Sequence, residues 1–251
     1  MYHGARNMKQ KIKITLHDAK EFLLDLLFPV SCIGCNTPDT LLCSQCNTTI
    51  IPAEWGCIIC SSRNDTGKPC QSCKKEVPHL ERAFWGTSYS NELMRDMIKA
   101  CKYRGEKSFV PLMCMRIIPS LEKALQERKG NSAGEIVFIP IPLHKYREQE
   151  RGFNQAEVIA RELAGHFLFP LTTNVLKRVR ATPPQALIHE KNARKKNMEN
   201  AFEIRNWEQV TGKTVILVDD VVTTGSTVEE AARLLKLKGA RRVWAAAVAR
   251  G

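Results

Sequence analysis

Residues 215–228 read VILVDDVVTTGSTV, four apolar residues running straight into two adjacent acids, Asp219 and Asp220. With Thr214 the run becomes TVILVDD (214–220), and its lack of polar alternation is the pattern of a strand covered on both faces. The following TVEEAARLLKLKG (227–239) has helical periodicity and a closing glycine, Gly239. A covered strand that leads through a short loop into a helix is one unit of an alternating α/β sheet. If the strand stops at the acids, they stand at the carboxyl edge of that sheet, where open α/β sheets bind ligands.

The loop Thr223-Thr224-Gly225-Ser226-Thr227 suits an anion. A helix start offers unpaired backbone N–H groups and a partial positive charge, and Gly225 lets a ligand approach the backbone closely. Ser226-Thr227-Val228-Glu229 also matches a capping box, a purely structural use of the same residues. The acids repel a phosphate but accept hydrogen bonds from neighbouring hydroxyls. A ribose 5-phosphate satisfies both halves, with phosphate on the loop and the 2′- and 3′-hydroxyls on the acids. Mg²⁺ on the acid pair alone is the rival, and it leaves the loop unused.

Further strands are expected over RAFWGTSY (82–89), EIVFIPIPL (135–143), NVLKRV (174–179) and RRVWAAAVA (241–249). Helices are expected over 91–103, 109–129 and 154–167, the last with Ala156, Ile159, Ala160 and Leu163 on one face. Residues 185–202 are ambiguous. The predicted fold is α/β, a twisted and mostly parallel sheet flanked by helices. Three segments are predicted: a basic leader with a short helix (1–28), a cysteine module (29–78) and the α/β domain (79–251).

Eight of the ten cysteines form four CxxC pairs: Cys32/Cys35, Cys43/Cys46, Cys57/Cys60 and Cys70/Cys73. Two intervening residues let both sulfurs reach one ion at about 2.3 Å, and eight thiolates fit two tetrahedral Zn²⁺ sites. Sequential sites are favoured, 32/35/43/46 and 57/60/70/73, with a crossed arrangement left open by spacing alone. A segment so short of apolar runs needs such staples, because structural zinc contributes about 10–16 kcal/mol in small fingers. An iron–sulfur centre is the minor alternative. Cys101 and Cys114 fall on helical patterns and read as core residues, and Trp55, Trp85 and Trp207 as core or interface residues.

The 251 residues carry 38 basic and 26 acidic side chains, a net charge of +12 that favours anionic partners without choosing among them. Lys99, Lys102, Tyr103, Arg104 and Lys107 put an aromatic among cations, as single-strand binders do. No apolar run is long enough to span a membrane, and Asp18, Lys20, Glu21 and Asp25 interrupt the apolar part of the leader. A cytoplasmic protein is expected, its cysteines binding metal rather than forming disulfides. No Walker A loop, dinucleotide glycine motif or HExxH occurs.

VILVDDVVTTGST is similar to the PRPP-binding signature of type I phosphoribosyltransferases. Cysteine pairs ahead of it, KYRGEKS (102–108), PIPLHKYREQERGFNQAEVIA (140–160) and RATPPQALIHEKNARKKNMENAF (180–202) together resemble the ComF competence-protein family. The resemblance runs from about Leu26 to Ala249. It implies a type I phosphoribosyltransferase fold behind a double zinc ribbon, and PRPP with Mg²⁺ held by Asp219, Asp220, Thr223, Thr224, Gly225, Ser226 and Thr227. By analogy of position, Pro142, Leu143, Lys145, Arg147 and Arg151 stand where the pyrophosphate loop is expected. Residues 177–196 carry seven cations, Arg180 and Arg194 among them, against Glu190. They resemble the mobile loop that closes over pyrophosphate, although a nucleic-acid groove reads the same way. The family implies a role in DNA uptake during natural transformation, with single-stranded DNA and a DNA-import helicase or channel protein as partners. An active transferase and a structural adaptor are the alternatives; no catalytic residue stands out.

Overall fold

The computed structural model describes residues 30–127, 135–181 and 198–251. The leader helix expected within 1–28 and most of the ambiguous 185–202 segment lie outside these residues. Among the described residues no helix is long and apolar enough to cross a membrane.

The strands are β1 (Arg82–Ser88), β2 (Ile136–Pro140), β3 (Leu176–Arg178), β4 (Phe202–Ile204), β5 (Thr214–Val222) and β6 (Arg242–Arg250). The helices are α1 (Ser44–Thr48), α2 (Glu92–Lys99), α3 (Val110–Cys114), α4 (Ile118–Gln126), α5 (Lys145–Arg151), α6 (Gln155–Phe167) and α7 (Ser226–Leu237). The main sheet is wholly parallel in the order β1-β6-β5-β2, and β3 and β4 form a separate antiparallel pair.

Both faces of this sheet are covered, which is why β5 and β6 read as unbroken apolar runs. Alternation along β5 sends Val215 and Leu217 to one face, where they meet Val228, Ala231, Ala232 and Leu235 of α7. The other face holds Phe84, Phe138 and Trp244, fully buried. Phe84 meets Trp244 edge-on at 5.9 Å, and Phe138 stacks on Phe167 of α6 at 6.1 Å. Helix α6 packs on β2 and β5 through Ile159 and Leu163. Its start is set by Asn154, whose Oδ1 accepts from Ala156 N at 3.1 Å and whose Nδ2 donates to Ile141 O at 3.0 Å.

Two expected helices are broken. The 91–103 pattern is α2 followed by one π-turn, Ala100–Arg104, which Gly105 closes at φ 71°. The 109–129 pattern splits into a 3₁₀ turn, α3 and α4, with Pro111 and Pro119 each opening a new first turn. Cys101 and Cys114 are buried, as expected. Trp85 is core and Trp55 packs edge-on against Phe84 at 5.6 Å. Trp207, by contrast, is 44% exposed on a 3₁₀ turn, so the core reading fails for it.

The chain divides into two compact units between Asn47 and Thr48. The first described cysteine cluster belongs to one unit and the second to the unit that holds the sheet. The reason lies in β1: Ala53 N donates to Gly86 O at 2.9 Å, Ala83 N to Gly67 O at 2.8 Å, and Thr87 Oγ1 to Ile51 O at 2.7 Å. Ile58, Val77 and Leu80 then join the core on the α7 side.

Candidate functional site

Strand β5 does not stop at the acids; it runs on to Val222, paired with β6. Strand β2 stops sooner. Pro140 pairs with Val218, Ile141 N donates to Val218 O at 2.8 Å, and the chain then turns away. Asp219 and Asp220 are therefore flanked by a crevice where β2 no longer covers β5, the expected place for a ligand. A cavity of about 460 Å³ opens there.

Asp219, Asp220, Thr223, Gly225, Ser226 and Thr227 line this cavity on one side. Pro142, Leu143, Arg147 and Arg151 line it on the other. Three expected residues do not. Thr224 lines a second, smaller cavity instead. Lys145 does not line the cavity, and Arg180 bonds Glu199 O through Nη1. Arg194 lies outside the described residues.

The capping box does not form. Gly225, at φ 75°, occupies the N-cap of α7 with no side-chain cap. Ser226 Oγ bonds Thr224 Oγ1 at 2.8 Å, and Glu229 turns away to His79 at 2.6 Å. The start of α7 thus has no side-chain cap, which leaves the kind of helix N-terminus that suits an anion.

Each acid bonds the backbone just after it: Asp220 N donates to Asp219 Oδ1 and Val221 N to Asp220 Oδ1, both at 2.8 Å. Burial, then the charge of Asp220, pushes the Asp219 carboxyl up to about 8. Lys102, carried in by the π-turn, pairs with Asp220 Oδ2. Burial works against the Lys102 ammonium, but the two carboxylates win and its proton is held more tightly than usual. Facing them, burial first and Arg147 second pull the Arg178 guanidinium down. The cavity is therefore two-sided, with acids and an uncapped helix start against a wall of cations.

Lys99, Lys102 and Tyr103, which in sequence read as nucleic-acid contacts or, for Tyr103, equally as packing, line the cavity, with Tyr103 72% exposed. Arg178 and Gln155 also line it. Gln155 is only 3% exposed and its Nε2 has no hydrogen-bond partner, so this buried donor has its capacity unused. Its place beside the α6 cap in RGFNQ was the available signal. No histidine and no glutamate is among the described residues lining the cavity, whose carboxylates are Asp219 and Asp220.

The eight cysteines gather as two sequential clusters, Cys32/Cys35/Cys43/Cys46 and Cys57/Cys60/Cys70/Cys73, each with its sulfurs within 4.8 Å of one another. This settles the pairing that spacing left open. Both first knuckles have the same turn: Asn36 N donates to Cys32 O and Ser61 N to Cys57 O, each at 2.9 Å, with Asn36 and Ser61 left-handed. Cys43 N donates to Cys32 Sγ at 3.3 Å and Cys46 N to Cys43 Sγ at 3.4 Å. Such bonds stabilise thiolate, and backbone N–H donors, Cys43 first, bring the Cys32 thiol down to about 6. The Ser72 hydroxyl first, and then Cys73, bring the Cys70 thiol down to about 6 as well. Four thiolates at this separation fit tetrahedral zinc, and both clusters can hold it.

The phosphoribosyl transferase domain profile matches residues 148–251, spanning α6, β5, the loop and β6. The DNA utilization protein YhgH of Salmonella typhi is 30% identical over 221 residues, covering 80% of this chain and 93% of that protein. Competence protein F of Haemophilus influenzae is 29% identical over 206 residues, covering 80% and 87%. Competence protein ComFC of Bacillus subtilis is 27% identical over 213 residues, covering 80% of each. Likeness at that level, over nearly the whole of such a relative, together with the domain match and the paired cysteines, makes this chain a member of the ComF family.

Proposed function

We propose that the chain binds PRPP with Mg²⁺ in the cavity at the end of β5 and acts in DNA uptake, handling single-stranded DNA on the cytoplasmic side. The observation that carries the ligand reading is the two-sidedness of the cavity. The uncapped start of α7 takes the 5-phosphate, Asp219 and Asp220 take the ribose hydroxyls, and Arg147, Arg151, Arg178 and Gln155 face the pyrophosphate. Lys102 sits on Asp220 and orients it. Magnesium would neutralise pyrophosphate charge that the cations leave uncovered. Two zinc ions, one per cluster, would hold the ribbons. The names of the relatives, competence protein and DNA utilization protein, support the DNA role, and the net charge of +12 supports an anionic polymer as partner. PRPP occupancy then tunes the affinity for DNA, or for an import helicase or channel protein.

Calorimetry with PRPP and Mg²⁺ tests the first part, on wild type and on the Asp219→Ala/Asp220→Ala double variant. Binding is expected for the first and loss for the second; equal heats from both would end the reading. Single-strand affinity with and without PRPP tests the second part. A salt slope near zero, where each phosphate contact contributes about −0.7, would remove DNA as a partner.

A transferase is the second reading, favoured by the cations opposite the acid pair. The C1′–pyrophosphate bond would break, a C1′–nitrogen bond would form, and the acceptor's proton would leave to water. Consumption of PRPP only when a nitrogen nucleophile is added would support it.

A further inference from the structure

We propose that Ile58, inside the Cys57/Cys60 knuckle of the second cysteine cluster, is a positioning residue for the phosphate loop, so that the second four-cysteine site sets how tightly the loop holds a ribose 5-phosphate. This deepens the reading above and rests on it.

The loop touches the knuckle at its centre and is tied to the ribbon on both sides. At the centre is Gly225, left-handed at φ +75°; a Cβ there would come within 3.1 Å of Ile58 Cδ1. Ile58 itself is fully buried. It is the first residue after Cys57 and stands two before Cys60, so its backbone is held by the cluster that includes both.

On the strand side the tie is Arg250. Its Nη2 donates to Ile58 O at 3.1 Å and its Nη1 to Ser61 Oγ, while its guanidinium lies 5.2 Å over Trp85. Arg250 pairs in register with Val222, the residue that enters the loop. On the helix side the tie is Glu229, in the first turn of α7. It accepts from His79 N at 3.2 Å and Leu80 N at 3.1 Å, and its Oε1 lies 2.6 Å from His79 Nδ1. His79 and Leu80 follow Cys73 by six and seven residues. A cavity of about 150 Å³ separates this stretch from Thr224 and Ser226, so the loop rests on these fixed points rather than on continuous packing.

The consequence is geometric. Unpaired N–H groups serve a phosphate only if they converge, and misplacement by an ångström is costly in a preorganised site. Ile58 fixes the height of Gly225, and the cluster fixes Ile58.

The test uses the full-length, zinc-loaded chain. Affinities for ribose 5-phosphate and for magnesium pyrophosphate are measured by calorimetry for wild type, Ile58→Ala and the milder Ile58→Val, with zinc content and melting temperature determined in parallel. Ribose 5-phosphate binding is expected to weaken about tenfold in Ile58→Ala and less in Ile58→Val, with zinc retained and pyrophosphate binding unchanged. Chelation of zinc should give the same selective loss, and zinc re-addition should restore binding. Unchanged ribose 5-phosphate affinity in zinc-replete Ile58→Ala overturns the inference. Equal weakening toward both ligands overturns it as well, because that marks general loosening. If wild type binds neither ligand, the proposed function fails and this inference falls with it; an indifferent Ile58 variant beside a binding wild type sinks the inference alone.

Discussion

Replacing Lys102 by methionine tests the electrostatics of the cavity without a change in bulk. Both partners are largely buried, with side-chain exposure of 20% for Lys102 and 14% for Asp220. At an effective dielectric near 20, a pair about 4 Å apart attracts by about 4 kcal/mol. Removing the ammonium also removes its burial cost, the largest influence on Lys102. The net loss is then about 3 kcal/mol, the low end for breaking a buried pair. The pH dependence is the sharper part. Asp219 holds its proton up to about 8 in the folded chain, above the ordinary carboxylate value. The folded state therefore binds more protons than the unfolded one, and stability falls as pH rises toward 8. Lys102 restrains that rise, so its loss extends the decline above 8. Urea unfolding followed by circular dichroism should show a loss at pH 9 exceeding that at pH 6 by about 1 kcal/mol, within the limit of about 1.4 kcal/mol per pH unit for one proton. Equal losses at the two pH values, or a larger loss in acid, would refute the coupling of Lys102 to the acid pair.

Three further expectations are open to measurement. Gly225→Ala forces a side chain into the left-handed region at a cost of about 1–2 kcal/mol and against Ile58; scanning calorimetry should find the drop, and an unchanged melting temperature would contradict the loop conformation. Glu229→Ala orphans the buried N–H group of Leu80 and the part-buried one of His79, for a loss of about 1–3 kcal/mol in urea unfolding; a loss under about 0.5 kcal/mol would mean that water replaces the carboxylate there. Atomic emission should find about two zinc ions in the wild-type chain and about one in Cys60→Ser, with the Cys32 cluster retained; loss of both ions from the single substitution would speak against independent sites.

The strand expected over 214–220 was legible because a parallel strand covered on both faces has to be largely apolar, and that pattern survives in sequence; its continuation to Val222, set by pairing with β6, was not. The cysteine clusters were legible because two-residue spacing is a local constraint. What sequence misread was set by distant partners. Ser226 and Glu229 have capping-box spacing, but the left-handed Gly225 takes the cap and His79, far away in the chain, claims Glu229. Lys102 read as part of a cationic surface; a π-turn, which has no sequence period of its own, carries it onto Asp220. Thr224 belonged to the right motif and still lines the smaller cavity, its Oγ1 bonded to Ser226 Oγ across the bend at Gly225. The burial of Gln155 depends on how α6 lies against β2, which no window of sequence contains.

One consequence of the strand order concerns synthesis. Strand β6, the last of the described strands in the chain, lies between β1, the first, and β5. A ribosome exports β1 and the second cysteine segment long before their central neighbour exists. Until residues 242–250 emerge, β1 lacks the strand it pairs with among the described residues, and Ala83, Phe84 and Trp85 have only a partial core to enter. Premature termination upstream of Arg242 would thus remove the middle of the sheet rather than its margin, leaving two open edges of the kind that invite aggregation. Early metal capture by the cysteine segments, which are made before β1, would give the nascent chain a folded region to wait on.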